Sequence, residues 1–378
     1  MAATLTWEDV RRLAEYRAQR GRAISLYVDL DPSVTPTPGD AAARVNALLA
    51  DGHKDANGRP QSHEEKEALK RDFERIERYF ARDFARDGAH GLAIFCAGLD
   101  DVWVLLQLPD PVPDEIKVGR DFYVTPLAPL VGRSDGALVA VVNRERGSLY
   151  RLRGGRLEEA ADLSEEQPRR HDQGGWSQSR FQRHVDGLAA EHMREVADEI
   201  DRRIRSTRGA RLVVVCPEEH RQEFEELLSQ EARQALAGWA SAEAHAGAAE
   251  LLDAAAPVLE RARGQEEAAQ LERWREELGR NGRAVGGWGG TLEAASDARV
   301  EVLLYGEQTQ RPAWQCPKCG RAVADGGACP LDGTELEERG EGLDLAIHQT
   351  LVHGGSALLV REPQDLEPRE GIGALLRF

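Results

Sequence analysis

The sequence predicts a mixed α/β (α+β) protein built from three domains. Its 378 residues exceed what one hydrophobic core usually organises. Short apolar runs typical of strands alternate with longer segments in which apolar residues recur at helical spacing. Proline-rich residues 109–114 end the first such group, and an alanine-rich stretch at 235–256 ends the second. We therefore expect domains at residues 1–130, 131–256 and 257–378.

The first domain is expected to contain three strands and two helices. A short helix at residues 7–20 leads to the alternating apolar residues 23–30, which indicate a strand. The prolines and glycine of SVTPTPGD, residues 33–40, then predict a break in the chain. A long charged helix is expected from about Ser62 to Asp87, and the strands GLAIFCA and VWVLLQL follow it.

The middle domain is expected to begin with two strands around a turn at Arg146 and Gly147, with a third strand after the next glycine pair. Apolar residues between Ser179 and Arg205 form one stripe, which predicts a long amphipathic helix. The strand RLVVVCP and another helix follow, a succession typical of layered α/β domains.

The third domain is expected to be a mixed α/β sandwich that starts with a helix at residue 257. Its glycine-rich stretch GRAVGGWGG, residues 282–290, has some likeness to a phosphate-binding loop. It lacks the Lys-Ser/Thr pair of such loops, and no strand is expected before it. We therefore interpret it as a flexible joint between helices.

The charge of the chain restricts its partners. The formal net charge of −17 argues against a general nucleic-acid coat, so any RNA contact must be local. Residues 169–183 are the exception, because four arginines stand there against one acidic residue; the four are Arg169, Arg170, Arg180 and Arg183. No apolar run is long enough to cross a membrane, and charged residues occur within the first eight positions. We expect a cytoplasmic protein without a secretory signal.

Three of the five cysteines are spaced like metal ligands. The pattern Cys316-x2-Cys319-x9-Cys329-x2-Asp332 has two knuckles, with an aspartate in place of the fourth thiolate. Thiolate and carboxylate ligands suit a tetrahedral zinc ion, so we expect a structural zinc ribbon at about residues 314–336. The alternative is a degenerate ribbon whose turns persist without metal. Cys96 and Cys216 end apolar strands and are expected to be buried thiols.

A second pattern precedes the long helix of the middle domain. Residues 171–183 read HDQGGWSQSRFQR. Taken alone, this stretch is an ordinary turn into a helix, with Ser177 as an acceptable N-cap and the arginines on a solvated face. The rest of the chain favours another interpretation.

Four features together resemble one family: ISLYVDLDP near the start, GGWSQSRFQR at the long helix, the ribbon in the third domain, and GIGALLRF at the end. They are similar to the bacterial and archaeal relatives of the archaeo-eukaryotic class-I release factors and Pelota. The resemblance implies a first domain that faces the decoding centre and an RNase H-like middle domain with a loop that reaches the peptidyl-transferase centre. It also implies a third domain that docks partners.

The resemblance also implies which residues of the loop are catalytic. Gly174 and Gly175 match the glycines of the release-factor Gly-Gly-Gln tip, but Trp176 stands where the glutamine would be. The match is instead to the Gly-x-x-Gln variant of a peptidyl-tRNA hydrolase that rescues stalled large subunits, which adds Ser177 and Gln178 to the catalytic set. The Asn-Ile-Lys-Ser and Tyr-x-Cys-x-x-x-Phe strings of stop-codon readers are absent. Reading of a stop codon is therefore not expected.

We expect codon-independent hydrolysis of peptidyl-tRNA on stalled ribosomes or large subunits. The arginines at 169, 170, 180 and 183 would hold RNA phosphates. The partners implied are ribosomal RNA and peptidyl-tRNA, with a translational GTPase such as elongation factor Tu as a candidate, and the protein would be a monomer with no membrane contact. One alternative is a Balon-like hibernation factor that occupies the ribosomal A site without chemistry. Another is a zinc-ribbon scaffold that binds only proteins.

Overall fold

The chain divides into two compact units. The computed structural model describes residues 5–57, 62–131, 137–143, 147–153, 155–163, 178–206, 210–243, 245–361 and 363–378, and for residues 55, 57, 153, 178–189 and 363 only the backbone. One unit consists of Met1–Arg133 and Glu266–Phe378, and the other of Ser134–Gln265. The mixed α/β fold class is confirmed. The three domain boundaries expected from the sequence stay a prediction.

The helices of the described residues are α1 (Trp7–Glu15), α2 (Pro38–Asn57), α3 (His63–Arg82), α4 (Gln178–Ser206), α5 (Glu218–Leu227), α6 (Gln230–Ala235), α7 (Ala248–Gly279), α8 (Trp288–Ser296) and α9 (Gly342–Val352). The strands are β1 (Ala23–Asp29), β2 (Gly91–Ala97), β3 (Val102–Leu108), β4 (Glu115–Gly119), β5 (Leu138–Val142), β6 (Gly147–Arg153), β7 (Arg156–Asp162), β8 (Leu212–Val215), β9 (Leu236–Ala240), β10 (Ala284–Gly286), β11 (Val300–Gly306), β12 (Ala313–Gln315), β13 (Ala322–Val323), β14 (Glu337–Arg339), β15 (Ser356–Val360) and β16 (Ile372–Leu376). None of these helices combines the length and apolarity needed to span a bilayer.

The N-terminal segment of the first unit contains an antiparallel sheet with strand order β3-β2-β1-β4. Side chains alternate between its two faces along each strand. Ile24 and Leu26 lie on the face covered by α2 and α3, whereas Tyr27 and Phe95 lie on the other. Because both faces are covered, β1 and β2 are buried along nearly their whole length.

Helix α2 was not predicted. The prolines of residues 33–40 suggested a simple break, but the second of them, Pro38, is the first residue of a 20-residue helix. Proline is favoured at this position, where its missing N–H would have no helical partner. Thr37 and Asp40 cap the start reciprocally: the Asp40 amide donates to Thr37 Oγ1 at 3.2 Å, and the Thr37 amide donates to Asp40 Oδ2 at 2.9 Å. The expected charged helix is α3, which begins one residue after its N-cap Ser62.

The C-terminal segment of the first unit has a second sheet, with strand order β10-β16-β11-β15. Strands β11 and β15 are parallel, and β16 is antiparallel to both of its neighbours. Helices α8 and α9 pack on one face through Leu292 and Ile347. These two side chains belong to the same buried cluster as Tyr27 and Phe95, so the first and last segments of the chain share one core.

A half-buried carboxylate joins the same two segments. Asp344 on α9 accepts three hydrogen bonds at its Oδ1 atom: from the Val124 amide at 3.0 Å, the Thr125 amide at 3.2 Å and the Thr125 hydroxyl at 2.8 Å. Burial raises the pKa of this carboxyl, although the three donors oppose that shift. The residues that donate lie 219 and 220 positions away in the sequence, so this contact depends entirely on the tertiary fold.

The second unit is a five-stranded sheet with strand order β7-β6-β5-β8-β9. The first three strands are antiparallel, and β8 and β9 are parallel to β5, an arrangement that fits the expected RNase H-like domain. Val196 and Ile200 of α4 pack on one face with Phe224 of α5, and Leu251 of α7 packs on the other. The third strand expected after the glycine pair is β7.

Helix α7 begins earlier than predicted. The sequence placed a helix start at Pro257, but α7 begins at Ala248 and contains Pro257 in its interior. Its 32 residues include the division between the two units at residue 265. Strand β9, which was not predicted, occupies the first part of the alanine-rich stretch. Interior proline usually marks a helix end, and that rule misled the prediction here.

We expect Asp344→Ala to destabilise the first unit. The substitution would leave the two amides and the hydroxyl that contact Oδ1 without an acceptor, which costs about 2–3 kcal/mol in unfolding free energy. Urea unfolding at neutral pH, followed by tryptophan fluorescence, measures this loss.

Asp344→Asn is the matched control, since its amide oxygen can accept the same three bonds without a buried charge. Because the pKa of Asp344 is raised in the folded chain, ionising it opposes folding. The wild type should therefore lose stability relative to Asp344→Asn as pH rises above the range of a free carboxyl. Equal stability of the alanine and asparagine variants at every pH would contradict a role for these bonds.

Candidate metal centre and the loop before the long helix

Most of the loop predicted to be catalytic lies outside the described residues. This applies to Gly174, Gly175, Trp176 and Ser177, and to the predicted RNA contacts Arg169 and Arg170. Helix α4 begins at Gln178, so the expected helix is confirmed within one residue at each end. The side chains of Gln178, Arg180 and Arg183 lie outside the description as well.

The described half of α4 is fixed firmly to the second unit. Met193, Val196 and Ile200 are buried, and α4 packs against strands β5 and β6. His192 is also buried, at 1% exposure, and neither of its ring nitrogens has a hydrogen-bond partner among the described residues. The loop therefore precedes a helix whose far half is held by the sheet.

The predicted metal ligands come together in the structure. Strands β13, β12 and β14 form a small antiparallel sheet, and the two knuckles extend from it. In the first knuckle the Gly320 amide donates to the Cys316 carbonyl at 2.9 Å, and in the second the Gly333 amide donates to the Cys329 carbonyl at 2.9 Å. Both glycines have positive φ, of 79° and 72°, which other residues rarely adopt. The repeated glycine in each knuckle thus has a conformational cause.

The four ligand atoms are close enough to share one ion. The sulfur, sulfur, sulfur and carboxylate oxygen atoms of Cys316, Cys319, Cys329 and Asp332 all lie within 4.8 Å of one another. The Cys319 and Cys329 Sγ atoms are 3.6 Å apart, and each Asp332 oxygen is 3.7 Å from Cys316 Sγ. This is a candidate Cys3Asp metal centre.

Backbone amides favour the anionic forms that a metal needs. Burial opposes ionisation of the Cys316 thiol, yet hydrogen bonds from the Cys319 and Lys318 amides outweigh it and lower its pKa. The Thr334 amide donates to Asp332 Oδ1 at 3.0 Å and lowers the pKa of that carboxyl. Burial instead raises the pKa of Cys329. Two of the four ligands are therefore biased towards their charged form before any ion binds.

The small sheet is attached to the body of the first unit by polar contacts. Arg321 Nη1 lies 2.6 Å from Asp297 Oδ1, and the Ala322 amide donates to Ser296 Oγ at 2.9 Å. The Gln349 side-chain amide of α9 donates to the Gly320 carbonyl at 3.1 Å. The candidate metal centre is thus tied to helices α8 and α9, which suits a structural role.

The prediction for the two remaining cysteines is confirmed, whereas the prediction for residues 282–290 is not. Cys96 and Cys216 are buried as predicted, and burial raises the pKa of both thiols, that of Cys216 to about 11. The interpretation of residues 282–290 as a joint between helices is wrong. Strand β10 comes before Gly287 and helix α8 after it, because residues 284–286 pair with β16. The Trp288 amide at the helix start already donates to Glu370 Oε2 at 3.3 Å, a carboxylate in the place of an external anion.

The first unit contains a cavity of about 590 Å³ that was not predicted. Residues from α1, β4, the small sheet and α9 line it. His348 stands in its wall, and the Nε2 atom of this residue is buried without a hydrogen-bond partner among the described residues. Burial lowers the pKa of the imidazole. No local pattern could have indicated this cavity, because its lining residues are up to 338 positions apart, from Ala14 to Val352.

The sequence of the chain is similar to those of release factors. Residues 123–260 match the model of the bacterial archaeo-eukaryotic release factor family 10. Over 364 residues the chain is 22% identical to peptide chain release factor subunit 1 of Archaeoglobus fulgidus, an alignment that covers 89% of this chain and 87% of the relative.

Solved structures of similar proteins include Archaeoglobus fulgidus Pelota, at 14% identity with 100% of this chain and 94% of the other covered, and a TM-score of 0.35. Dom34 of S. cerevisiae, a translation termination-like factor, is 11% identical over 76% of this chain and 79% of its own, with a TM-score of 0.41. On the sequence matches, this chain is similar to peptide chain release factor subunit 1 over most of its length, and residues 123–260 match bacterial archaeo-eukaryotic release factor family 10.

Proposed function

We propose that the chain is a cytoplasmic, ribosome-associated factor that hydrolyses peptidyl-tRNA without reading a codon. The observation that carries this proposal is the family match over residues 123–260, because that stretch contains the Gly-x-x-Gln loop. The absence of the stop-codon-reading strings from the first 130 residues supports action on ribosomes without a readable codon. Ribosomal RNA and peptidyl-tRNA would be its partners, and a translational GTPase such as elongation factor Tu would deliver it.

For hydrolysis of the peptidyl-tRNA ester the protein would mainly have to position the reacting groups. Hydrolysis of the ester requires a water molecule held in line with the carbonyl carbon and donors for the developing oxyanion. Gly174 and Gly175 would allow the loop backbone to approach RNA closely, and Gln178 would orient the water through its amide. Trp176 would stack on a base, and the four flanking arginines would bind phosphates. No protein base is needed.

The structure of α4 supports these roles for the loop. Helix α4 begins at Gln178, and the first amides of a helix have no partner within the helix. These amides and the helix dipole would favour contact with anionic RNA at the end of the loop. The buried residues Met193, Val196 and Ile200 would keep the opposite end of α4 in place while the loop engages its target.

A release assay tests the proposal. Large subunits that carry peptidyl-tRNA are incubated with the protein, and the freed peptide is measured. We expect Gln178→Ala to slow release by about 100-fold, the usual loss when one orienting donor at a reacting centre is removed.

Gln182→Ala, four residues further along α4, is the matched control and should release peptide at the wild-type rate. Failure of the wild type to release peptide, or equal loss in both variants, would refute catalysis by Gln178.

A second function is favoured by one specific observation, which is Trp176 at the place of the release-factor glutamine. A hibernation factor would need a loop that occupies the A site without hydrolysing the ester. Co-sedimentation with ribosomes but no peptide release would support this function. Absence of co-sedimentation at low salt would instead leave a scaffold that binds only proteins.

For the candidate metal centre we propose a structural zinc ion held by Cys316, Cys319, Cys329 and Asp332. Ligand atoms that surround a tetrahedral zinc ion at about 2.0–2.3 Å lie about 3.3–3.8 Å from one another. The separations of 3.6 Å and 3.7 Å fit this range. When bound, the ion would join the two knuckles, and the contacts of Arg321 and Ala322 would transmit that order to α8.

We expect one zinc ion per chain by elemental analysis, and at least about tenfold weaker zinc affinity for Asp332→Asn, which loses an anionic ligand. Competition with a chromophoric chelator measures the affinity. Asp325→Asn removes the same charge from an exposed position in the same ribbon and should bind zinc like the wild type. A purified protein without zinc, or equal affinity of the two variants, would argue for a ribbon that persists without metal.

A further inference from the structure

Four arginines of the C-terminal segment meet at one corner of the second sheet. Because β16 is antiparallel to β10 and β11, the end of β16 lies beside the starts of both neighbours. The Leu376 amide donates to the Arg283 carbonyl at 2.9 Å, and the Arg377 amide donates to the Arg299 carbonyl at 2.8 Å. Arg273 of α7 is the fourth. We call Arg273, Arg283, Arg299 and Arg377 the arginine corner.

The corner is organised around one carboxylate. Arg273 binds Glu301 with two hydrogen bonds, of 3.0 Å and 2.9 Å, and these lower the pKa of the Glu301 carboxyl. The charges of Arg283 and Arg377 act on the same carboxyl in the same direction. Glu301 falls at a register shift between β11 and β16, the kind of irregularity that redirects a side chain.

The helix that carries Arg273 cannot easily move away. The neighbouring Trp274 is 1% exposed, and its indole N–H donates to the Val285 carbonyl at 2.9 Å. A Cβ atom at Gly373 would lie 2.7 Å from the indole nitrogen, so the helix and the sheet are in direct contact there. Arg273 and Glu301 are therefore held in a fixed position at the centre of the corner.

The corner carries more positive charge than it neutralises. Arg299 lies 3.8 Å from Asp297, a carboxylate that Arg321 also binds at 2.6 Å. Arg377 Nη1 is 3.5 Å from the Ala298 carbonyl, which has no charge. The Arg283 side chain is exposed, and its charge acts on the carboxylates of Glu277 and Glu301. The carboxylates at the corner are those of Glu277, Asp297 and Glu301, and Arg280 and Arg321, outside the corner, bind the first two of them. Arginines therefore outnumber carboxylates there, in a protein whose net charge is −17.

We propose that the arginine corner is an RNA-binding surface that binds the phosphate backbone. Guanidinium groups match the geometry of phosphate oxygens and remain charged at every physiological pH. The Phe378 side chain beside Arg377 is 73% exposed, and an exposed ring next to arginines is a stacking surface for a base, which an acidic peptide would not use. The acidic surface elsewhere repels RNA and so makes this contact local. The inference rests on the proposed function in one respect, because the RNA would be ribosomal.

The test measures binding of the full chain to a fluorescein-labelled RNA hairpin as a function of salt. We expect Arg283→Gln with Arg377→Gln to weaken binding roughly tenfold at low salt and to reduce the slope of log affinity against log salt by about 1.4, because two phosphate contacts are lost. The control is Arg71→Gln with Arg82→Gln, two exposed positions on α3, which changes the net charge by the same amount. The control should keep the wild-type slope.

Equal slopes for the two double variants would overturn the proposal, and so would competition by a polyglutamate peptide as strong as that by unlabelled hairpin. A slope reduced only in the Arg283 and Arg377 variant would support it. The peptide-release assay is independent, since Gln178 lies in the other unit. A chain that releases no peptide but binds RNA through the corner would refute the proposed hydrolysis and retain this inference.

Discussion

The first unit depends on a contact between the two ends of the chain. Oδ1 of Asp344 accepts from the Val124 and Thr125 amides and from the Thr125 hydroxyl, and a common core of Tyr27, Phe95 and Ile347 surrounds the joined segments. Because residues 1–133 and 266–378 close into one unit, residues 134–265 are an insertion whose two ends both return to that unit. The chain therefore builds its middle unit on a separate sheet with its own two cores.

The distribution of charge limits where RNA could bind. The net charge of −17 opposes general binding to RNA, so any contact with RNA would have to come from local clusters of arginine. One cluster flanks the loop before α4 and is evident in the sequence. The other forms only at the corner of the second sheet, where three strand ends and α7 meet. Two such clusters on different units would let one protein contact RNA at two places.

At the candidate metal centre a local sequence pattern predicted part of the tertiary structure. The spacing of Cys316, Cys319, Cys329 and Asp332 predicted that four ligands would converge, and the structure brings them within 4.8 Å of one another. The knuckles are local turns, each fixed by one backbone hydrogen bond and a glycine of positive φ, so their geometry follows from adjacent residues. What the small sheet packs against does not follow from the pattern, since Asp297 and Gln349 belong to distant helices.

The sequence by itself determined the elements with strong periodicity or a fixed motif: the long helix α4, the buried strands, the buried thiols of Cys96 and Cys216, and the cysteine knuckles. The predictions at Pro38 and Pro257 were wrong, because a proline usually indicates a break in a helix. In the structure Pro38 begins α2 and Pro257 lies inside α7. The prediction for residues 282–290 was wrong as well, since three residues form a strand only when β16 lies beside them. The tertiary structure alone decided the shared core, the hydrogen bonds of Asp344 and the arginine corner. Each of these requires residues far apart in the chain to meet, and no local pattern records such distances.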